Sequence, residues 1–286
     1  MMDNPFLLNA IRRVTTAKTN KRTASGIEPC LIEKRPRFVP VLERITPEQF
    51  IQRLNVTQEQ VDIIERYEQK SPEWLNARKG LITASNFGSA IGVNRHTSRR
   101  ALLKDMVWVA AFTGNAATRW GCDNESKACD VYVQTKQNEI ENSRGLERAA
   151  DDVITHFNVV QKGLVINPAR PWMGNSPDGI IELTYASGRT ETALLEIKCP
   201  FRKTFYDNTV PPHYMAQIQG TMGNLSLPWC DFVVWTPSET QITRVPFDPE
   251  YWSGLLLPNL ADFYFNQYVP AAVNKENGLL EDGAIE

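Results

Sequence analysis

The chain has 286 residues, 42% of them hydrophobic, which suits one large core with a flexible appendage better than several independent domains. Its formal net charge of −2 excludes the strongly basic balance that by itself advertises a polyanionic partner, although a local basic channel beside acidic groups averages to near neutrality. No apolar run approaches the ~18 residues of a transmembrane helix and no apolar stretch follows the N-terminus, so the sequence predicts a soluble intracellular protein with no membrane partner.

Residues 1–44 form the appendage, a basic arm predicted to be disordered. It carries Arg12, Arg13, Lys18, Lys21, Arg22, Lys34, Arg35 and Arg37, with Pro29, Pro36 and Pro40 late in the segment. A solvated tail, an arm on DNA phosphates and a nuclear-import signal at Lys34-Arg35-Pro36-Arg37 all remain open. Residues 45–286 are read as one domain. Thr46-Pro47-Glu48 starts a helix with Phe50, Ile51 and Leu54 as its apolar stripe, and Thr57 with Gln60 forms a capping box ahead of Val61, Ile64 and Tyr67. This helical pair reads as scaffold. Ser71-Pro72-Glu73 starts a short helix that ends at Gly80, and another begins near Thr83 or Ser85. The helical pattern returns from about 99 to 135.

After about 152 the pattern becomes extended. Strands are predicted over Val153 to Phe157, Val159-Val160, Leu164 to Ile166, Ile180 to Leu183, Ala193 to Cys199, Phe232 to Trp235 and Ile242 to Val245. Ala186 to Arg189 reads as a hairpin loop. A last helix runs from about 249 to 268 on Trp252, Leu255, Leu256, Leu260 and Phe263. Helices, then a mixed sheet, then helices define an α/β (α+β) sandwich. The five cysteines lack CxxC spacing, so neither a disulfide framework nor a zinc site is indicated.

Ser176-Pro177-Asp178-Gly179 precedes one strand of the hairpin and Leu195-Glu196-Ile197-Lys198 lies in the other. Alternation along a strand turns Glu196 and Lys198 to one face and Ile197 to the core, with the Ile197 backbone carbonyl near the charged face. Carboxylates converging from Asp178 and Glu196 repel, and the remedy is a shared proton or a hard divalent cation, for which Mg2+ suits the oxygen set. A lysine beside such a cation stabilises charge developing on a phosphate. An exposed alternating hairpin is the competing reading, but Ala193 to Leu195 and Cys199 to Phe201 make the surrounding run apolar. A buried structural ion pair also stays open.

These residues resemble the PD-(D/E)xK nuclease core, and their flanks resemble its lambda-exonuclease or YqaJ-type viral recombinase branch. The likeness is carried in order by Trp74 with Arg78 and Ile82-Thr83-Ala84-Ser85; Trp120-Gly121 with Glu125; Ser176 to Gly179; Leu195 to Phe201; and Tyr214-Met215-Ala216-Gln217-Ile218-Gln219. It runs from about 71 to 222, with weaker similarity to about 268. The N-terminal extension and the loop from Phe201 to His213 depart from the pattern.

The resemblance implies Asp178, Glu196, Lys198, Glu125 and Gln217 as catalytic residues. It implies Asp178, Glu196, the Ile197 carbonyl and Glu125 as metal ligands, directly or through water, for two ions of Mg2+ or, as a substitute, Mn2+. Arg78, Ser85 and Ser176 match positions that bind a terminal 5′-phosphate, with Tyr214 as support. The implied activity is 5′ to 3′ digestion of one strand at double-stranded DNA ends, leaving a 3′ overhang, in partnership with a single-strand annealing protein. For a viral protein the compartment would be host cytoplasm or nucleus. The branch also implies a homotrimeric ring, and Trp252, Phe263, Tyr264 and Phe265 are more numerous than one buried helix face requires. An endonuclease on the same core and a catalytically silent DNA-end-binding module are the alternatives.

Overall fold

The computed structural model describes residues 44–108, 114–143, 153–202, 209–281 and 285. The basic arm, apart from Arg44, lies outside them. Three short helices open the described chain, each started by a hydroxyl that accepts a backbone N–H left without an intrahelical partner. Thr46 caps α1 (Pro47–Gln52) and Thr57 caps α2 (Gln58–Ile64), both as complete capping boxes, and Ser71 caps α3 (Pro72–Ala77). Gly80 then takes φ +81°, where a side chain is disfavoured.

The next helical turn starts where the sequence places it, between Thr83 and Ser85, with a short strand ahead of it that the sequence did not announce. Thr83 belongs to a short strand, β1 (Ile82–Thr83), and the helical turn starts at Ala84 as a 3₁₀ turn, Ala84–Asn86, leading into α4 (Phe87–Ala90). α5 (Arg99–Trp108) and the long α6 (Ala116–Ser143) follow.

Two sheets are built from the rest. β1 pairs in parallel with β4 (Met173–Asn175), which pairs antiparallel with β3 (Val165–Ile166). The larger sheet has the order β2 (Ile154–Val160), β5 (Gly179–Tyr185), β6 (Thr190–Lys198), β7 (Trp229–Thr236) and β8 (Glu239–Pro246). Only β6 and β7 run parallel, because α7 (Pro212–Leu225) carries the chain between them.

The central strand β6 is covered on both faces, which is why its sequence is an apolar run rather than a simple alternation. Ala193, Leu195 and Ile197 pack towards Ala128 and Tyr132 of α6. Leu194 packs towards Ile218 and Met222 of α7. The α6 face also holds buried Asp231, which accepts hydrogen bonds from Tyr132 Oη at 2.8 Å and from Arg244 Nε and Nη2 at 2.9 and 3.1 Å.

The last helical run extends from Tyr251 to Glu276, beyond the expected end near 268. It is α-helical in α8 (Leu257–Phe263) and α9 (Val269–Glu276) and π-wound over Tyr251–Leu256 and Tyr264–Tyr268. A proline clashes with the carbonyl four residues back and lacks an N–H. Pro258 and Pro270 each follow a π-wound turn, where that carbonyl is displaced, so the helix continues past both. Trp252, Phe263, Tyr264 and Phe265 are all buried in the chain's own core with Phe87, Leu102 and Trp172. Their number reflects a layer covered on several sides, and they lend no weight to a subunit contact. No helix among the described residues is long and apolar enough to cross a membrane.

The loop after α2 is locked to the turn after β2. Gly163 N–H donates to the Glu65 carbonyl at 2.7 Å, and a Cβ at Gly163 would stand 2.1 Å from the Tyr67 carbonyl oxygen. Gly163→Ala is expected to lower stability by about 1–3 kcal/mol through forced backbone displacement. Equilibrium urea unfolding checks this, and an unchanged midpoint would show that the loop does not approach so closely.

Candidate active site

The site lies at the end of the large sheet where β6 finishes and β5 begins. The antiparallel register sets Gly179 against Leu195, so the residue before β5, Asp178, meets the stretch that holds Glu196. Asp178 Oδ2 accepts the Ile197 N–H at 2.6 Å. Gly179 permits this close entry, since a Cβ there would lie 2.6 Å from Val159 Cγ1 and 3.3 Å from Leu195 Cδ2. Glu196 is 2% exposed and its Oε1 accepts hydrogen bonds from Lys198 Nζ at 2.5 Å and Gln217 Nε2 at 2.6 Å. Gln217 reaches it from α7. The Lys198 ammonium also lies 5.0 Å from the centre of the Tyr214 ring.

Asp178, Glu196, Lys198 and Gln217 are thus brought together. Glu125 faces the same place from α6: it lines a cleft of about 860 Å3 with Asp178, Ile197, Cys122 and Cys129, and a smaller adjoining one with Lys198 and Tyr214.

The electrostatics follow from this crowding. Burial and the Glu196 charge push the Asp178 carboxyl well above the usual carboxylate range, with Glu125 adding to the effect, while Lys198 and the Ile197 N–H oppose it. Burial alone would lower the Lys198 pKa, but the Glu196 and Asp178 charges outweigh it and hold the ammonium above its ordinary value. Lys198 is therefore a fixed cation at neutral pH.

This donor set fits a hard divalent cation. The Glu196 charge raises the proton affinity of Asp178, a repulsion of the kind a cation relieves, and all the donors are oxygens. Among the described residues no three His, Cys, Asp or Glu side chains gather into a metal-ligating cluster. A cation here would take Asp178 and Glu196, with the Ile197 carbonyl and water completing its shell. Glu125 is placed to act through water.

A second polar group lies just before Asp178 in the chain. The Arg78 guanidinium stacks on the Trp74 ring at 4.0 Å. Its Nη1 lies 3.5 Å from Ser176 Oγ, and its Nη2 donates to Thr83 Oγ1 at 3.3 Å. Trp74 Nε1 donates to Ser176 Oγ at 3.1 Å, and Asn86 Nδ2 to Thr83 Oγ1 at 3.3 Å. Burial lowers the Arg78 pKa to about 10, still cationic at neutral pH.

Arg78 and Ser176 are therefore together, whereas Ser85 sits exposed on the adjacent 3₁₀ turn. Thr83 and Asn86 belong to this group too and had no role in the sequence reading. The signal for Thr83 was its place beside Ser85 in one short motif. Tyr214, expected as support, lies against Lys198 itself.

The fold and site define an α+β protein with a carboxylate–lysine centre at the end of a mixed sheet. The YqaJ-like viral recombinase domain family matches residues 73–224, more than half of the chain, and the chain belongs to that family. Among solved structures, LHK-Exo in complex with dAMP is similar with a TM-score of 0.55 and 23% identity, over 72% of this chain and 95% of that one. The alkaline exonuclease LHK-Exo from Laribacter hongkongensis gives 0.54 and 24%, over the same shares. At such identities the likeness establishes a shared fold. No curated protein matches the chain.

The raised Asp178 pKa has a thermodynamic consequence. A carboxyl whose folded pKa exceeds its unfolded one stabilises the fold below the unfolded pKa, and that contribution is lost as pH rises through the folded value. Melting temperature in EDTA is therefore expected to fall as pH climbs out of the ordinary carboxylate range through the raised value of Asp178. Asp178→Asn should flatten this dependence. An identical pH profile for the variant would show that Asp178 is not the strained group.

Proposed function

We propose that this chain is a cation-dependent exonuclease that hydrolyses linear duplex DNA 5′ to 3′ and leaves a 3′ overhang, using Mg2+ or Mn2+. The observation that carries this reading is that Pro177 alone separates Ser176 of the Arg78 group from Asp178 of the carboxylate group. Two residues of extended chain span at most about 7 Å, the scale of one nucleotide. A 5′-phosphate held by Arg78 and Ser176, with Ser85 at the rim, would set the next phosphodiester over the carboxylates. That spacing favours removal from an end over internal cutting. Membership of a viral recombinase family and the fold shared with an alkaline exonuclease support the same class of reaction.

Each residue has a physical task in this scheme. Arg78, stacked and half-buried, offers a planar fork suited to a terminal phosphate. Asp178, Glu196 and the Ile197 carbonyl would hold the cation, which supplies charge neutralisation at the phosphate when bound. Glu125 orients water at the same place. Lys198, held protonated and braced by Tyr214, donates to the phosphate oxygen on which negative charge develops. Gln217 fixes the Glu196 carboxylate through its 2.6 Å hydrogen bond.

Two ions per site, a single-strand annealing partner and a ring of three subunits rest on the family resemblance alone. Residues 45–286 as one domain, with the basic arm dispensable for chemistry, complete the proposal.

With Mg2+ and a 5′-phosphorylated linear duplex, wild-type protein should release acid-soluble nucleotides while leaving covalently closed circles intact. Lys198→Ala and Asp178→Ala should each lower the rate by ~10² to 10³, with DNA binding largely retained. Cleavage of closed circles would favour an endonuclease, and end binding without release would favour a silent module. In addition, Arg78→Ala should reduce the preference for 5′-phosphorylated over 5′-hydroxyl ends more than it reduces basal hydrolysis. A wild-type ratio between the two ends would remove Arg78 from the phosphate site.

A further inference from the structure

The wall of the large cleft carries a further lysine, Lys70, whose backbone is in a disfavoured conformation. Lys70 has φ +74°, in the left-handed region where a glycine would sit at no steric cost. The loop from Glu65 to Lys70 is held there from several directions. Gln69 Nε2 donates to the Lys162 carbonyl at 2.9 Å and to the Pro177 carbonyl at 3.1 Å. Glu65 pairs with Lys162 at 3.0 Å, and Ser71 N–H donates to the Glu68 carbonyl at 3.1 Å. The Pro177 carbonyl belongs to the same connection that joins the Arg78 group to Asp178.

This bracing sets Lys70 at the rim of the large cleft with Asp178, Glu125 and Cys122. Partial burial would lower the Lys70 pKa, but the charges of Glu125 and Asp178 favour the ammonium and the pKa is raised, so Lys70 is a cation at neutral pH. Lys198 lines the adjoining cleft on the other side of Glu125 and Ile197. Cys122, Glu125 and Ile197 border both clefts, and one of the two ammonium groups lies in each. Strain kept at a site is a pointer to use, and Lys70 does not cap or terminate a helix: Ser71 already caps α3.

We infer that Lys70 is a strand-binding residue of this site, its ammonium taking a phosphate oxygen of the bound DNA so that the strand is threaded between Lys70 and Lys198 over the carboxylates. This rests on the nuclease reading above. It also supplies what a chain of net charge −2 needs, positive charge concentrated at the path of the polyanion.

Lys70→Gly separates charge from backbone, because glycine removes the ammonium while relieving the left-handed strain. The expected result is a KM for 5′-phosphorylated linear duplex raised about ten-fold, the worth of one charge-assisted contact, with kcat little changed. The slope of log binding constant against log salt, measured with Ca2+ in place of Mg2+, should shrink by about 0.9. Lys70→Arg should recover most of both. A Lys70→Gly protein that melts higher but keeps the wild-type KM and salt slope would mark Lys70 as a strained turn only and overturn the inference. A collapse in kcat at unchanged KM would overturn it as well. Wild-type protein that hydrolyses no linear duplex would remove the nuclease reading and this inference together, whereas hydrolysis by wild type with an unaltered glycine variant removes this inference alone.

Discussion

The structure turns on the repulsion between carboxylates gathered at the end of a buried strand. Glu196 is 2% exposed, Asp178 is pushed up by it, and Glu125 adds to the same field from across the cleft. Such a cluster is costly without compensation. Compensation is present in Lys198 Nζ and the Gln217 amide on Glu196 and in the Ile197 N–H on Asp178. These groups balance the charge only in part, which is the electrostatic condition for binding a hard cation. The chemistry and the strain of the site have one origin.

The rest of the fold keeps those groups in place. Strand β6 is wedged between α6 and α7, so its odd-numbered residues anchor one face while Glu196 and Lys198 emerge on the other, beside Gln217. The Ser176-Pro177-Asp178 connection leaves the small sheet at β4 and enters the large one at β5. Ser176 of the Arg78 group and Asp178 of the carboxylate group are therefore fixed relative to one another by backbone rather than by side-chain reach. The Gln69 clamp on the Pro177 carbonyl ties a third segment, with Lys70, to that same connection.

The site was legible in the sequence where local rules carried it. Asp178 and Glu196 fell on the two arms of a hairpin whose loop, with Gly188 at φ +83°, was recognisable, and two-residue alternation set the faces of Glu196, Ile197 and Lys198. Helix starts at Thr46, Thr57 and Ser71 were legible because capping is local chemistry. What was hidden depended on distant contacts. β1 and β4 are too short to show periodicity and exist because they pair with each other across the fold. The helix past Pro270 relies on π-wound turns, and those widened turns let the consecutive Phe263, Tyr264 and Phe265 all reach the interior. Counting aromatic residues against an ordinary helix face therefore overstated what was left for a partner. Asn86 and Lys70 carry no motif of their own and became visible only through the side chains and carbonyls that surround them.

The chain belongs to the YqaJ-like viral recombinase domain family, and the crowding of Asp178, Glu196 and Glu125 is what a hard cation would relieve. The most direct measurement is calorimetric titration of Mn2+ into the DNA-free protein, with Asp178→Asn and Glu196→Gln beside the wild type. The account predicts saturable binding by the wild type, weakened at least about ten-fold in either variant, with a larger affinity at higher pH as Asp178 gives up its proton. Binding of equal strength in wild type and both variants would contradict it.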